Sequence, residues 1–364
     1  MIHVSLDGII FNTQPPGGIS RIFIETIPFI LADGQDIKFS LYMPVNRQRC
    51  LPDTEHTRFY PMIPTHVFGS SHIWYRGSGR INRLIQKLTC PYHTIWHTTY
   101  FTPPPRSVKA YLVTFYDVIF EYAHHYTKKH NLHERAVKEA DFIITISESV
   151  RDDVMAVYGM EASKIRAIPL ACSSLFRKLD DAGNSRLVDR PFLLYVGGRG
   201  DAHKNFLRLL DAFSRWKHRT ETKLVVVGPP WNAAERSLLD SLKIADAVVF
   251  YTNAGDNLLC RLYNEALALV YPSRYEGFGI PLLEAMACEC PVIASDIPTS
   301  REVAGEYPIY FQPESTDDLC DAMDIAYSRN GITKKQKMIG AAKREQYSWR
   351  KTAQETLRVY GELA

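Results

Sequence analysis

Short apolar runs alternate along the chain with longer segments whose apolar residues recur at helical spacing. In the first half these runs are MIHVSL, DIKFSLYM, TIWHTT, AYLVTFYDVIF and DFIITIS, and in the second half FLLYVGG, KLVVVG, AVVFY, LALVYPS and PVIAS. Strands that are apolar along most of their length are typical of parallel sheets covered by helices on both faces. The pattern therefore predicts an α/β fold with two parallel sheets.

A polar stretch separates the two series of predicted strands. Residues 179–190, LDDAGNSRLVDR, combine glycine, asparagine and clustered charge and offer little to bury, which is typical of a linker. The chain of 364 residues also exceeds the length at which a single core usually stops growing. We predict an N-terminal domain over 1–178, a C-terminal domain over 191–345 and a packed helix over 346–364.

Composition and charge disfavour several classes of protein. The net charge of +3 is small and the basic residues are not massed in one run, which argues against a nucleic-acid partner. No apolar run is long enough to span a bilayer, and the N-terminus lacks the features of a secretory signal, so we expect a cytoplasmic protein. The 7 cysteines are scattered without metal-binding or disulfide-framework spacing, and we expect reduced thiols and no metal site.

The most informative segment is YPSRYEGFGIPLLEAMACECPVIAS, in which a strand leads through a glycine-rich turn into a helix. Gly277 and Gly279 bracket Phe278, so backbone amides can approach a ligand closely, and the positive end of the helix points to the same place. Glu276 before the turn and Glu284 within the helix can both accept hydrogen bonds from hydroxyl groups of one ligand. The alternative is a helix-capping carboxylate together with a solvated glutamate.

Two cations follow the first predicted strand of the second half. Arg199 and Lys204 lie in GGRGDAHKNFLRLLDAF, where a strand, a glycine loop and a helix can present amides to phosphates and the cations can neutralise a diphosphate. The alternative is a pair of solvated loop cations. The segment lacks the full G-x-G-x-x-G and an acidic residue placed for a ribose, which disfavours a dehydrogenase. Gly17 and Gly18 in NTQPPGGISRIF form a similar glycine loop in the first half.

Together these motifs resemble those of the retaining glycosyltransferases of the GT-B fold, family 4, and among them the bacterial polysaccharide mannosyltransferases. The resemblance runs through GGISR, ADFIITISESVRDDV, YVGGRGDAHKNF, PSRYEGFGIPLLEAMACECPVIASDIPTSREVAG and YSWRKTAQETLRVY. It implies two Rossmann-like domains facing across a cleft, with the last helix crossing back to the first domain. It also implies a nucleotide diphosphate sugar as co-substrate, GDP-mannose first and a UDP-hexose next, and no further cofactor.

The resemblance also implies an acceptor and roles for individual residues. The acceptor is a saccharide or lipid-linked saccharide in surface polysaccharide synthesis. Arg199 and Lys204 would hold the diphosphate, Glu276 the transferred sugar and Glu284 the ribose, while Gly18 approaches the diphosphate from the first domain. The donor-binding set is Gly17, Gly18, Arg199, Lys204, Glu276, Gly277, Phe278, Gly279, Ile280 and Glu284. The catalytic set is Arg199, Lys204, Glu276 and Asp117.

The chain departs from the family at one position. Many relatives carry His-Asp after the strand that ends near Thr114, whereas this chain has Tyr116 and Asp117. A phenol donates and accepts hydrogen bonds but takes up no proton near pH 7, so we expect no histidine-based role there. We predict that Asp117 binds acceptor or sugar hydroxyls, with a turn residue as the alternative. His97 either lines the cleft or is structural.

The residues also bear on the mechanism. The sequence places no second carboxylate as a nucleophile in the manner of retaining hydrolases, so we expect same-face substitution in which the departing diphosphate oxygen takes the proton of the attacking hydroxyl. No D-x-D occurs in the chain, and we expect activity without a metal ion. Two other functions fit the same residues: a sugar-nucleotide epimerase, or a non-catalytic donor-binding subunit of a larger enzyme.

A basic amphipathic segment lies in the first half. WYRGSGRINRLIQKL, from Trp74 to Leu88, interleaves arginine and lysine with apolar residues at helical spacing. Such a helix can lie on an anionic membrane surface, which would place the protein at the inner face of the membrane, beside a lipid-linked acceptor. The alternative is a surface helix whose apolar stripe faces the core.

Overall fold

The computed structural model describes residues 1–13, 18–34, 36–44, 51–63, 72–119, 128–180, 186–252, 254–329 and 331–364. The chain divides into two compact units, of which the first holds Met1–Leu170 and Trp349–Ala364 and the second holds Ala171–Ser348. Each unit is built on its own parallel sheet, so the predicted fold class is confirmed. The predicted domain limits stay predictions, and residues 181–185 of the predicted linker 179–190 lie outside the described residues.

The first unit is a parallel sheet with helices on its faces. Its described strands pair in the order β3-β2-β1-β4-β5-β6-β7. The strands are Ile2–Leu6 (β1), Ile37–Met43 (β2), Thr57–Pro61 (β3), Ile95–Thr98 (β4), Ala110–Phe115 (β5), Phe142–Thr145 (β6) and Ile165–Ala167 (β7). The helices are Ile9–Thr13 (α1), Gly18–Asp33 (α2), His72–Thr89 (α3), Lys128–Glu139 (α4) and Glu148–Tyr158 (α5), and a 3-10 turn covers Ala162–Lys164.

The second unit repeats this architecture. Its described strands pair in the order β10-β9-β8-β11-β12-β13. They are Phe192–Val196 (β8), Lys223–Val227 (β9), Val248–Tyr251 (β10), Ala268–Tyr271 (β11), Val292–Ser295 (β12) and Ile309–Phe311 (β13). The helices are Phe206–Arg215 (α6), Ala233–Ser241 (α7), Asp256–Glu265 (α8), Ile280–Ala287 (α9), Pro298–Ala304 (α10), Thr316–Arg329 (α11) and Lys334–Gln346 (α12). Short 3-10 turns cover Ala202–Lys204 and Ala245–Ala247.

The central strands are buried on both faces. Val225 and Val226 of β9, and Leu269 and Val270 of β11, are fully inaccessible to solvent. Consecutive residues of a strand point to opposite faces of the sheet, so both faces must be covered by helices. This explains why the apolar runs of the sequence are continuous instead of alternating.

The last helix, Trp349–Leu363 (α13), belongs to the first unit although it follows the second in the chain. Arg350 binds Asp33 at the end of α2, with Nη2 and Oδ1 3.0 Å apart. The buried ring of Tyr360 meets Phe39 of β2 edge-on at 6.2 Å between centroids. The helix thus covers one face of the first sheet.

Each sheet contains a point at which the chain reverses its direction of winding. In the first unit β1 lies between β2 and β4, and in the second β8 lies between β9 and β11. The loops that follow two such neighbouring strands run to opposite faces, which opens a crevice at the carboxyl ends of the strands. Ligands of parallel α/β folds bind in that crevice, so a ligand of the second unit is expected at the ends of β8 and β11.

Candidate functional site

The site of the second unit forms where β8 and β11 end side by side, paired at Leu193 with Ala268 and Leu194 with Leu269. Beyond β8, Gly197 has φ of +145°, a backbone conformation that glycine adopts readily. Its N–H donates to the carbonyl of Val227 at 3.0 Å. The two strand ends therefore present a glycine loop and the 272–279 segment to the same crevice.

Lys204 and Glu276 are brought together at this crevice. The Lys204 ammonium lies 2.8 Å from each carboxylate oxygen of Glu276. The side chains are 26% and 11% exposed, so the pair is open to solvent on one side. The backbone of Glu276 is fixed by Thr299, whose hydroxyl donates a hydrogen bond to the Glu276 carbonyl at 2.7 Å. The structure thus brings two of the predicted site residues together, and their roles toward a phosphate and a sugar stay predictions.

Two tyrosines that the sequence analysis did not single out line the same strand ends. Tyr271, the last residue of β11, is hydrogen-bonded to Glu276, and burial together with that carboxylate raises its pKa well above the ordinary value of a phenol. Tyr195 of β8 donates its hydroxyl to the Gly198 carbonyl at 2.5 Å. Both phenols are therefore protonated donors. The available signal was an aromatic residue near the end of each central strand, in LLYVGG and LVYPS.

The turn before α9 needs glycine at Gly279, where φ is +104°. A Cβ added there would lie 3.1 Å from Leu282 Cδ1 and 3.5 Å from the Tyr271 hydroxyl oxygen. Phe278 is 3% exposed and its ring meets Tyr347 edge-on at 5.6 Å. The ring therefore anchors the turn to the core, which leaves the backbone of the turn as the part available to a ligand.

Glu284 lies one turn inside α9 and is 4% exposed. Its Oε2 accepts a hydrogen bond of 2.9 Å from the Tyr263 hydroxyl of α8. Burial, together with the Glu284 charge, raises the pKa of Tyr263 well above its ordinary value, so the phenol remains a donor. The carboxylate is thereby held in one orientation on the same helix that begins at Gly279.

Arg199 has a different environment from Lys204. Its Nε lies 2.8 Å from Glu235 Oε1 and its Nη2 donates to the Pro229 carbonyl at 2.8 Å. The guanidinium carbon lies 4.2 Å from the centre of the Trp231 ring, and the side chain is 3% exposed. The guanidinium is therefore committed to the loop after β9. Its role as a diphosphate ligand stays a prediction, and among the described residues Nη1 has no hydrogen-bond partner.

Glycine at position 228 makes this arrangement of Arg199 feasible. A Cβ added to Gly228 would lie 2.9 Å from Arg199 Nη1 and 2.5 Å from the Gly197 carbonyl oxygen. Burial by itself raises the pKa of Glu235, but hydrogen bonds from Arg199 and from the Asn232 backbone, with the Arg199 charge, lower it below its ordinary value. Glu235 is thus an ionised partner of Arg199 that the sequence analysis missed.

Two predicted residues of the first unit, Tyr116 and Asp117, directly follow β5. Asp117 accepts a hydrogen bond of 3.2 Å from the Ile119 N–H, as expected if Asp117 is a turn residue. Its predicted role in binding acceptor or sugar hydroxyls stays a prediction. Tyr116 is buried and donates to the Thr99 carbonyl at 3.0 Å. Gly18 is exposed at the start of α2, whereas Gly17 lies outside the described residues.

Asp7, which the sequence analysis did not single out, lies at the winding reversal of the first sheet. This fully buried carboxylate accepts a hydrogen bond of 2.7 Å from the Thr98 hydroxyl and another of 2.7 Å from the Thr99 N–H, and it is also bonded to the Thr99 hydroxyl. Burial raises its pKa although these bonds act in the opposite direction. Asp7 therefore ties the end of β1 to the end of β4.

His97 is structural. Its Nδ1 is 2.8 Å from the Tyr360 hydroxyl and its Nε2 is 2.8 Å from the Thr114 hydroxyl. The ring is 3% exposed, and burial lowers its pKa to about 3. A neutral imidazole therefore joins β4, β5 and α13 inside the first unit.

Membrane-spanning helices and metal clusters are absent from the described ranges. No helix within them is long and apolar enough to cross a membrane. No group of three or more histidine, cysteine, aspartate or glutamate side chains within them could hold a metal ion. The cysteines within them are free thiols.

The sequence and the fold are similar to those of known proteins. Residues 177–346 match the family model described as glycosyl transferases group 1. The chain is 27% identical to O-antigen chain mannosyltransferase B of Escherichia coli over 283 residues, which cover 73% of this chain and 74% of that protein. It is 29% identical to O-antigen chain mannosyltransferase RfbU of Salmonella typhimurium over 179 residues, 49% of each chain. The fold matches sucrose-phosphate synthase of Thermosynechococcus elongatus with a TM-score of 0.75 and 20% identity, covering 100% of this chain and 99% of that one.

Proposed function

We propose that this chain, which belongs to the group 1 glycosyltransferases of the GT-B fold, transfers mannose from GDP-mannose to a saccharide or lipid-linked saccharide acceptor. The observation that carries the proposal is the pairing of Lys204 with Glu276, at 2.8 Å to both oxygens, beside the glycine turn that opens α9. A cation for phosphate and a carboxylate for sugar hydroxyls are thereby adjacent.

The donor is held, in this proposal, by Lys204, Glu276, Glu284 and the backbone amides at the start of α9. Lys204 moves from Glu276 to the diphosphate, a stronger anion, and the amides at the start of α9 add to its field. Glu276, released from the ion pair, accepts hydrogen bonds from hydroxyls of the transferred sugar. Glu284, oriented by its 2.9 Å bond from Tyr263, accepts one from the ribose.

The reaction proceeds with retention through same-face attack. As the bond between the sugar and the diphosphate lengthens, negative charge builds on the diphosphate oxygen, and that oxygen takes the proton of the attacking acceptor hydroxyl. Lys204, which by then is bound to the diphosphate, stabilises this charge without a further movement during the reaction. By analogy with the loss of one oxyanion-hole donor, removing the ammonium costs about 2.7–4 kcal/mol of transition-state stabilisation.

The choice of donor and acceptor is supported by the named relatives. Both O-antigen proteins to which the chain is similar are named as mannosyltransferases, so GDP-mannose is the first donor to test and UDP-hexoses the second. Because the same names refer to the O-antigen chain, a saccharide acceptor is proposed, and a synthetic mannoside is the first one to test. The assignment to surface polysaccharide synthesis has the same basis.

A transfer assay tests the proposal. The purified chain is incubated with GDP-mannose or a UDP-hexose, with and without a synthetic mannoside acceptor, and products are identified by mass spectrometry and proton NMR. We expect an α-linked product that requires both GDP-mannose and the acceptor. Conversion of the nucleotide sugar without an acceptor would indicate an epimerase, and donor binding without any conversion would indicate a binding subunit.

Two variants and a chelator sharpen this assay. Lys204→Met should lower kcat/KM by about 10²–10³, whereas Lys335→Met on the exposed face of α12 should leave it unchanged. Equal losses in the two variants would remove Lys204 from the mechanism. Activity that is lost in EDTA and restored by Mg²⁺ or Mn²⁺ would overturn the expected metal independence.

A further inference from the structure

Over residues 79–89, where its side chains are described, helix α3 (His72–Thr89) turns amide side chains inward and apolar side chains outward. Its inward face carries amide side chains: Asn82 is 4% exposed and Gln86 is 2% exposed. Asn82 makes two hydrogen bonds to the backbone of Ile63, at 2.8 and 3.0 Å, and Gln86 donates to the Asp7 carbonyl at 3.4 Å. The helix is thus attached to the unit partly through polar groups.

The outward face of the same helix is apolar. Ile81 is 48% exposed, Leu84 is 54% exposed and Leu88 is 71% exposed, and their spacing places them on one side of the helix. Tyr92, just beyond the helix, is 66% exposed. The alternative in which this stripe faces the core is therefore wrong for these three positions. We call Ile81, Leu84, Leu88 and Tyr92 the outer apolar patch.

Cations border the outer apolar patch. Arg80 and Lys87 are exposed on α3, and the Arg106 guanidinium lies 4.4 Å from the centre of the Tyr92 ring. Arg83, in contrast, turns inward and donates to the carbonyls of Pro103 and Pro104 at 2.6 and 2.7 Å. The exposed charge of this face is therefore supplied by Arg80 and Lys87, while the half-buried Arg106 also donates to the Lys87 carbonyl.

The sequence around the patch carries no opposing charge. Residues 56–116 contain no aspartate or glutamate, and their basic residues are Arg58, Arg76, Arg80, Arg83, Lys87, Arg106 and Lys109. A protein with a net charge of only +3 therefore has a long segment of one sign. Such a segment is complementary to an extended anionic surface, and it contributes no carboxylate that such a surface would repel.

We propose that the outer apolar patch and its cations dock on an anionic lipid bilayer. The apolar side chains enter the boundary between headgroups and acyl chains, and the cations meet lipid phosphates. Apolar residues beside basic ones, on a helix too polar to span the bilayer, are the features that distinguish a helix lying in the interface. This docking does not depend on the identity of the transferred sugar, and it brings the protein to the surface where a lipid-linked acceptor is found.

Vesicle co-sedimentation of the full chain tests the docking. The vesicles are phosphatidylcholine alone, or phosphatidylcholine and phosphatidylglycerol in equal parts. We expect binding to the anionic vesicles only, weakened by added salt. The double variants Leu84→Ser with Leu88→Ser, and Arg80→Gln with Lys87→Gln, should each reduce the bound fraction about tenfold or more.

Matched substitutions on another helix serve as the control. Met338 is 74% exposed and Lys335 is exposed on α12, so Met338→Ser with Lys335→Gln removes the same types of side chain without touching the patch. This control should bind vesicles like the wild type. Thermal unfolding and transfer to a soluble acceptor should be unchanged in all three variants, so failure of the docking is distinguishable from failure of the catalytic proposal.

Three results would overturn the docking. The first is a wild-type chain that remains in solution with anionic vesicles, and the second is unchanged binding by both α3 variants. The third is a concentration-dependent dimer in analytical ultracentrifugation that Leu84→Ser with Leu88→Ser abolishes while vesicle binding is absent. That result would assign the outer apolar patch to a second copy of the chain.

Discussion

The variant Glu235→Gln tests whether Arg199 stabilises the fold or binds the diphosphate of the donor, because it removes the negative charge that pairs with Arg199. The two side chains are 3% and 17% exposed, and the variant Glu235→Gln leaves the guanidinium in place without its counter-charge. Removing one partner of a buried ion pair typically costs 3–5 kcal/mol. We take about 3 kcal/mol, the low end, because Glu235 keeps some contact with water and glutamine keeps one acceptor oxygen.

This loss is large enough to see in a melting curve. The second unit, Ala171–Ser348, is of a size at which 1 kcal/mol shifts the melting temperature by about 2–4 °C, so Glu235→Gln should lower it by about 6–12 °C. Arg199→Met should cost a similar amount. The double variant should cost less than the sum of the single ones, because each removes the same contact.

Donor affinity gives the second half of this test. A structural Arg199 holds the loop of Pro229 and Trp231, so Glu235→Gln should weaken nucleotide binding together with stability. A guanidinium free to grip the diphosphate would instead be released by Glu235→Gln, and donor binding would be unchanged or tighter. The structural reasoning is refuted if Arg199→Met loses kcat/KM while the melting temperature of both single variants stays within about 1 °C of the wild type, a shift that corresponds to less than about 0.5 kcal/mol.

Three further changes have defined outcomes. Burial lowers the pKa of His97 from 6.5 to about 3, so the folded state disfavours the protonated ring. The contribution of this neutral ring to the free energy of unfolding is therefore complete above pH 6.5 and falls by up to about 1.4 kcal/mol per pH unit below it. His97→Gln should flatten this pH dependence in urea unfolding between about pH 6.5 and 5, and an unchanged slope would contradict the prediction. Gly279→Ala forces a Cβ onto a φ of +104° and should cost about 1–3 kcal/mol and weaken donor binding in calorimetry, so unfolding like the wild type would exclude the strain. Tyr263→Phe removes the hydroxyl that donates a hydrogen bond to the buried Glu284. The KM for the nucleotide sugar should rise with little change in kcat, because about 1.5–3 kcal/mol of binding free energy is lost. A KM equal to that of the wild type would disprove this role.

The sequence predicted those parts of the fold that depend on local pattern. The buried central strands were recognisable because both of their faces are covered, and the turn at Gly277–Gly279 because its glycines adjoin a strand and a helix. The edge strands β3, β7 and β13 were missed. They are short and at most half-buried along much of their length, so they lack a continuous apolar run.

Partners that are distant in the chain were also beyond prediction. Glu235 lies 36 positions from Arg199, and Thr99 lies 92 positions from Asp7, so no spacing rule joins them. The helical spacing of Ile81, Leu84 and Leu88 predicted a helix but could not say which face is outward. That answer came from the hydrogen bonds of Asn82 and Gln86, which only the folded chain supplies.

The first unit is assembled from both ends of the chain, since Trp349–Ala364 packs with Met1–Leu170. During synthesis the ribosome therefore delivers the whole second unit before it delivers the helix that closes over α2 and meets His97 through Tyr360. Until then the apolar residues that α13 packs against are exposed to solvent, and the first unit stays incompletely folded. A chain released before Trp349 would leave a finished second half joined to a first half that cannot close, a species for chaperones and proteases to sort.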